Sequence, residues 1–241
     1  MKKLLFICIA LVLGIASVAQ ATPLPEGSMS LGELIRGQGS ITANDKIFDR
    51  FTFFDGFDYG NLANVLVSPL TNDPLNPGLR YMANGEWSVI DFGGFMYLEF
   101  GFRVRTTNGL FLIKDNSLEI VATTHTGQDP TTGGDGGVIL IEETVYEHTP
   151  PDPTQIAYKY VRMDWLFDDF MPFDHAEFPL QNWIWVRTSI SLGSDFDGNF
   201  VSLDVFDQRF SQVPEPATML LLGTGLAGLA GAARRRKKNQ A

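Results

Sequence analysis

Cysteine is all but missing from this chain: its 241 residues hold one, Cys8. It sits inside the N-terminal apolar run MKKLLFICIALVLGIASVAQA, behind Phe6 and Ile7 rather than small residues, which argues against lipid attachment there. A disulfide framework is excluded, so the folded part must be held by its core, and the length allows that. Histidine is nearly as scarce. His125, His148 and His175 stand far apart, with no second histidine at metal-ligand spacing. No G-x-S-x-G, H-E-x-x-H or phosphate-cradling glycine loop occurs. The doublets Glu142–Glu143 and Asp168–Asp169 supply no acid–base pair, because neighbours on a strand point to opposite faces. They read as solvated acids. The expectation is a protein without catalysis and without a cofactor.

Positive charge is thin in the middle of the chain. Of the 18 Lys and Arg, two precede Thr22 and five follow Val213, leaving 11 between them against 27 of the 28 acidic residues. The body therefore carries about −16, a field that repels nucleic acid and anionic surfaces. Acidity spread this evenly serves solubility.

What is present begins with a leader. Lys2 and Lys3 form a basic start, Leu4 to Val18 an apolar run, and Ala19 and Ala21 the A-x-A of a signal peptidase site. Residues 1–21 are expected to be removed on export. Residues 22–211 then read as strands. In GFMYLEFGFRVRTT, Met96, Leu98, Phe100, Phe102 and Val104 fall on one face and polar residues on the other. Less pure alternation recurs in LANVLVS, SLEIVATT, GGVILIEETV, AYKYVRMDW, NWIWVRTSISL and NFVSLDVFD. Between them lie turn clusters: SPLTNDPLNPG, KDNS, GQDPTTGGDGG, EHTPPDPT and GSDFDG. One short helix is expected at SLGELIRGQ, where Ser30 and Glu33 have capping-box spacing. No linker or repeat interrupts the run. The fold class is all-β, a single antiparallel sandwich of jelly-roll type.

Two stretches offer candidate sites. Asp195, Asp197 and Asn199 have the alternate spacing of a calcium loop, yet the next positions lack its glycine and its bidentate glutamate. A hairpin turn explains the stretch without metal. In NWIWVRTSISL the residues Ile184, Val186, Ile190 and Leu192 share one face; Trp183, Trp185 and Arg187 share the other. With the aliphatic face inward, two indoles and a guanidinium stand outside, a platform on which a sugar ring can stack unless a neighbouring loop covers it.

The chain closes on VPEPATMLLLGTGLAGLAGAARRRKKNQA. Residues 217–233 carry no charge and would reach about 25 Å as a helix, the short limit for spanning a membrane. Arg234, Arg235, Arg236, Lys237 and Lys238 would stop transfer and stay cytoplasmic. Gly223, Ala227 and Gly231 give that helix a small-residue face. Pro214 and Pro216 break any helix, so Pro214, Glu215 and Pro216 are expected to lie extended at its outer boundary. This triplet, short helix and basic tail over 212–238 resemble the PEP-CTERM sorting signal of Gram-negative bacteria. The resemblance implies cleavage near the triplet by an exosortase, a membrane-embedded cysteine protease, after transient residence in the inner membrane. It further implies release or attachment at the cell surface, commonly among exopolysaccharide in biofilms. Signal peptidase and exosortase are then the processing partners. Three readings follow: a non-catalytic matrix protein, a carbohydrate-binding module, or a protein permanently anchored by its last helix.

Overall fold

The computed structural model describes residues 25–37, 39–107, 111–126, 136–147 and 154–214, with 223, 224 and 226 beyond them. The expected leader, His148, Glu215, Pro216, nearly all of 217–233 and the basic residues 234–238 lie outside the described residues. Among the described residues antiparallel strands make up 66% against 5% helix, which places the fold in the all-β class.

The chain enters through β1 (Met29–Ser30) and α1 (Leu31–Ile35). Ser30 caps α1: its hydroxyl accepts from the Glu33 N–H while the Glu33 carboxylate accepts from the Ser30 N–H, the expected capping box. There follow β2 (Ile41–Ala43), β3 (Lys46–Phe57), β4 (Leu66–Leu70), β5 (Gly78–Met82), β6 (Ser88–Ile90), β7 (Phe95–Thr106) and β8 (Phe111–Thr126). The second half comprises β9 (Val138–Tyr146), β10 (Gln155–Asp164), β11 (Asp169–Met171), β12 (Phe173–Gln181), β13 (Trp183–Gly193) and β14 (Phe200–Pro214).

These strands form two sheets. The first runs β1-β4-β5-β14-β8-β12, with β6 also paired to β14; the second runs β11-β10-β9-β13-β7-β3-β2. Without the edge additions, β5-β14-β8-β12 faces β7-β13-β9-β10. From β5 onward these eight strands alternate between sheets except at the β9–β10 hairpin, and the last, β14, inserts between the first and third of the eight, β5 and β8. That is jelly-roll order.

Alternation decides what fills the space between the sheets. Met96, Leu98, Phe100, Phe102 and Val104 on β7 are fully buried, as are Ile184, Val186, Ile190 and Leu192 on β13. Aromatic rings link the layers: Tyr81 stacks on Phe206 at 4.4 Å, with Phe100 at 5.6 Å from Tyr81. Both faces of the period-two pattern fall where the sequence put them.

Three readings need correction. Glu143 is not a solvated acid: it is fully buried on the inward face of β9. Its carboxylate accepts from Lys159, Asn116 and Gln208, all buried, and the last also donates to Thr188 Oγ1 at 2.8 Å. The inward face thus carries one charged residue per strand on β9 and β10, each satisfied by the other. KDNS is not a turn; Lys114 to Ser117 run through the middle of β8, beside an irregularity in its pairing with β14, and Asn116 turns inward to Glu143. LANVLVS becomes strand only at Leu66, which continues through Pro69 to Leu70. The last strand, β14, runs to Pro214.

Candidate functional site

The outer face of the second sheet is built from the residues that alternate with the core. Register fixes a grid across four strands. Glu99 on β7 lies opposite Ser189 on β13, which lies opposite Glu142 on β9, then Tyr160 on β10. One step along, Gly101, Arg187, Thr144 and Tyr158 form a parallel row. Between these rows opens a groove of about 220 Å³ lined by Glu99, Glu142, Thr144, Tyr146, Tyr158, Arg187 and Ser189.

Each carboxylate in the groove is held by a phenol. Tyr97 Oη donates to Glu99 Oε2 at 3.0 Å, and Tyr158 Oη donates to Glu142. Burial first, then the Glu99 bond, pushes the Tyr97 phenol up to about 12. The Glu142 bond first, then burial, does the same for Tyr158. Both phenols therefore stay protonated donors at any physiological pH. Arg187 pairs with Glu99, which raises the guanidinium above its ordinary range, and lies over the Phe54 ring at 4.7 Å from its centroid. The result is a rigid set of oriented donors and acceptors, with Tyr158 and Tyr160 exposed beside it.

The three residues expected to form a stacking platform part company here. Arg187 lines the groove. Trp183 is partly buried at the start of β13. Trp185 is only 5% exposed and offers no free ring face. The cause is Gly101 on the adjacent strand: a Cβ there would come within 2.9 Å of Phe54 Cε2 and 3.1 Å of Trp185 Nε1. The missing side chain lets Phe54 and the indole settle onto the backbone, so the covering comes from β3 rather than from a loop. Tyr146, Tyr158 and Glu99 went unnoticed as site residues, and Glu142 was set aside as a solvated acid. The alternation of AYKYVR already set Tyr158 and Tyr160 on one face, but placing them beside Arg187 needs the strand order.

The calcium-loop stretch is a turn between β13 and β14. Gly198 takes a φ of +81°, and its N–H donates to Asp91 Oδ1 at 3.0 Å. Asn199 is fully buried, and its Nδ2 donates to the Gly136 carbonyl at 2.8 Å. Among the described residues, no three His, Cys, Asp or Glu side chains group to hold a metal ion. His125 stacks on Trp165 at 4.5 Å and shares a hydrogen bond with the Gly136 carbonyl.

At the other end of the strands, Gln212, Val213 and Pro214 pair with Ile113, Leu112 and Phe111 of β8. Among the described residues, no helix is long and apolar enough to cross a membrane.

No curated protein matches this chain. Solved structures with some likeness include the carbohydrate-binding module TmCBM61 in complex with β-1,4-galactotriose. That match has 13% identity and a TM-score of 0.25, covering 66% of this chain and 94% of that one. A module from a Clostridium perfringens family 31 glycoside hydrolase shows 7% identity and a TM-score of 0.25, covering 50% and 76%. A xylan-binding domain of Paenibacillus barcinonensis Xyn10C shows 11% identity and a TM-score of 0.19, covering 79% and 98%. Scores this low give their ligands no bearing on this chain. Residues 212–237, by contrast, match the family model of the PEP-CTERM protein-sorting motif, so the chain carries the signal that implies an exosortase-sorted surface protein.

Proposed function

We propose that the jelly-roll body is a non-catalytic module that binds a neutral polysaccharide of the extracellular matrix through the outer groove of the second sheet. The observation that supports this is the transverse set Glu99, Arg187, Glu142 and Tyr158: charged and phenolic groups locked by one another on an open strand surface, beside exposed tyrosine rings. Fixed carboxylates and guanidinium bind vicinal hydroxyls through charge-assisted hydrogen bonds, and tyrosine rings offer faces for sugar CH groups. Preorganisation matters because side chains already held lose little entropy on binding. Two carboxylates against one guanidinium leave the groove negative, as is the body, which disfavours an anionic polymer.

The sorting motif delivers such a module to the surface in this reading, where exopolysaccharide or a biofilm matrix supplies the ligand. The test is titration calorimetry with neutral oligosaccharides (galacto-, manno-, xylo- and gluco-series) and with polysaccharide extracted from the producing cells. Arg187→Ala or Tyr158→Ala should weaken binding about 10- to 100-fold, as loss of one charge-assisted hydrogen bond implies. Trp185→Phe, a change beneath the surface, should leave affinity within about threefold, since substitutions away from direct contacts shift energies little. Equal affinity in parent and groove variants would reject this site.

A further inference from the structure

A second groove lies on the opposite outer face. It measures about 550 Å³ and crosses the first sheet at the end nearest Pro214. Its floor follows one row of the register: His175 on β12, Ser117 on β8 and Arg209 on β14, ending at Gly78 on β5. Three strand spacings make that row about 14 Å long. One wall is aromatic, with Phe173 and His175 stacked at 6.3 Å and 21° and the phenyl 52% exposed. The other wall is the loop before β5, which is pinned rather than loose. Arg209 Nη1 donates to Asn72 Oδ1 and to the Asn76 carbonyl, both at 3.2 Å, and Gln212 Nε2 donates to the Pro74 carbonyl at 3.1 Å. Gly78 is required at the foot of this wall, because a Cβ would run into the Gln208 carbonyl.

Charge separates this groove from the first. Lys114 pairs with Asp115 at 3.1 Å, and Arg80 holds Asp207 through two hydrogen bonds at 2.8 and 2.9 Å. The Arg80–Asp207 pair lies outside the lining, whose charged groups Lys114, Asp115, Glu119 and Arg209 balance in sign. A hydroxyl-rich chain can lie across such a floor, exchanging hydrogen bonds with Ser117, Arg209 and Glu119 and packing a ring on Phe173.

We infer that this groove is a second polysaccharide site, so that one copy of the protein bridges two polymer chains lying on opposite faces of the sandwich. The inference rests on the reading of the first groove and adds to it. Two weak sites on separate faces cross-link a polymer without any protein oligomer, through the effective concentration that the first contact supplies.

The experiment uses the chain from Thr22 onward in detergent, with the parent, Arg187→Ala/Tyr158→Ala in the first groove and Phe173→Ala/His175→Ala in the second. The second pair is exposed, and Ser117→Trp serves as an independent plug should either change disturb β12. Calorimetry with a neutral tetrasaccharide should give two sites per chain in the parent and one in each paired variant. The parent should raise the viscosity of the soluble polymer or precipitate it. Each variant should still bind immobilised polymer yet lose cross-linking. One site in the parent, with the Phe173→Ala/His175→Ala and Ser117→Trp proteins indistinguishable from it, overturns bivalency and leaves the first groove standing. Loss of all binding in the second-groove variants alone would move the site and also overturn bivalency. Absence of binding in the parent would sink the functional reading itself.

Discussion

Glu143→Leu is the most informative single change in the core. The carboxylate is fully buried, and Lys159 beside it is 1% exposed. Removing the acid leaves an ammonium between the sheets, with Asp174 and Asp115 acting on it only at a distance. Breaking a buried pair from one side costs about 3–5 kcal/mol, a large share of the roughly 5–15 kcal/mol that holds a domain together. Replacing both partners is a different case. In Glu143→Leu/Lys159→Met no charge is stranded, and such swaps are often neutral or better. Here Asn116 also loses its acceptor and Gln208 keeps only Thr188, while Asn116 Oδ1 and Gln208 Oε1 already have no partner. Each stranded amide costs about 1–3 kcal/mol. The double variant should therefore recover part of the loss and stay below the parent.

Urea unfolding of a fragment carrying residues 22–214 reads this directly. With a slope of about 2 kcal/mol per molar, a 4 kcal/mol loss moves the midpoint down by about 2 M, and the double variant should regain at least a third of it. Equal midpoints for single and double variants would refute the reasoning, since the cost would then lie in packing rather than in the unpaired charge. Burial pushes the Lys159 ammonium below its ordinary range, opposed by Glu143. The unfolded chain thus holds that proton more tightly, and the group's contribution to stability rises with pH as the ordinary lysine range is approached. Lys159→Met should flatten that alkaline limb.

Phe100→Ala removes a fully buried ring in contact with Tyr81 and Phe102 and should cost about 3–5 kcal/mol; an unchanged melting temperature would show the wrong face assigned inward. Burial opposes ionisation of Asp49, but hydrogen bonds from Arg103 and Arg105 prevail and hold its carboxyl below the ordinary range. Its contribution is full above about pH 4 and is lost as pH falls through the lower folded value, so Asp49→Asn should show a shallower acid limb, and parallel limbs would contradict this. Replacing Pro214, Glu215 and Pro216 by Ala should leave an unprocessed chain in the inner membrane, checked by intact mass; a tail-less product from that variant would defeat the sorting assignment.

The sandwich was legible because several of its long strands obey a period of two, as in Phe95–Thr106 and Trp183–Gly193. Where alternation breaks, the reading broke. β3 escaped notice because Arg50 takes a φ of +56° and its pairing with β7 shifts twice, scrambling which side chains face inward. β12 escaped because it is an edge strand with Phe173, His175 and Glu177 outside and Pro179 near a register shift. Composition also misled at Glu143. A carboxylate reads as solvent-facing until a lysine on the next strand is known to be its neighbour, and that neighbour is set by pairing. The grooves follow the same rule. Arg187 was visible in one strand, but Glu99, Glu142 and Tyr158 join it from three others.

The last strand ties site and signal together. β14 has 15 residues, an extended reach of about 50 Å, and its final three already belong to the stretch matched by the sorting motif. Gln212 is locked at that end: its side chain accepts from the buried Lys46, which also holds Asp45, and donates to the Pro74 carbonyl. A protease needs unpaired, extended substrate, and residues 212–214 are paired with β8. Cutting among them would sever a ladder the folded body keeps closed, so the mature end should fall after Pro214, a position that the mass of the processed chain reports. No free linker then separates body from signal.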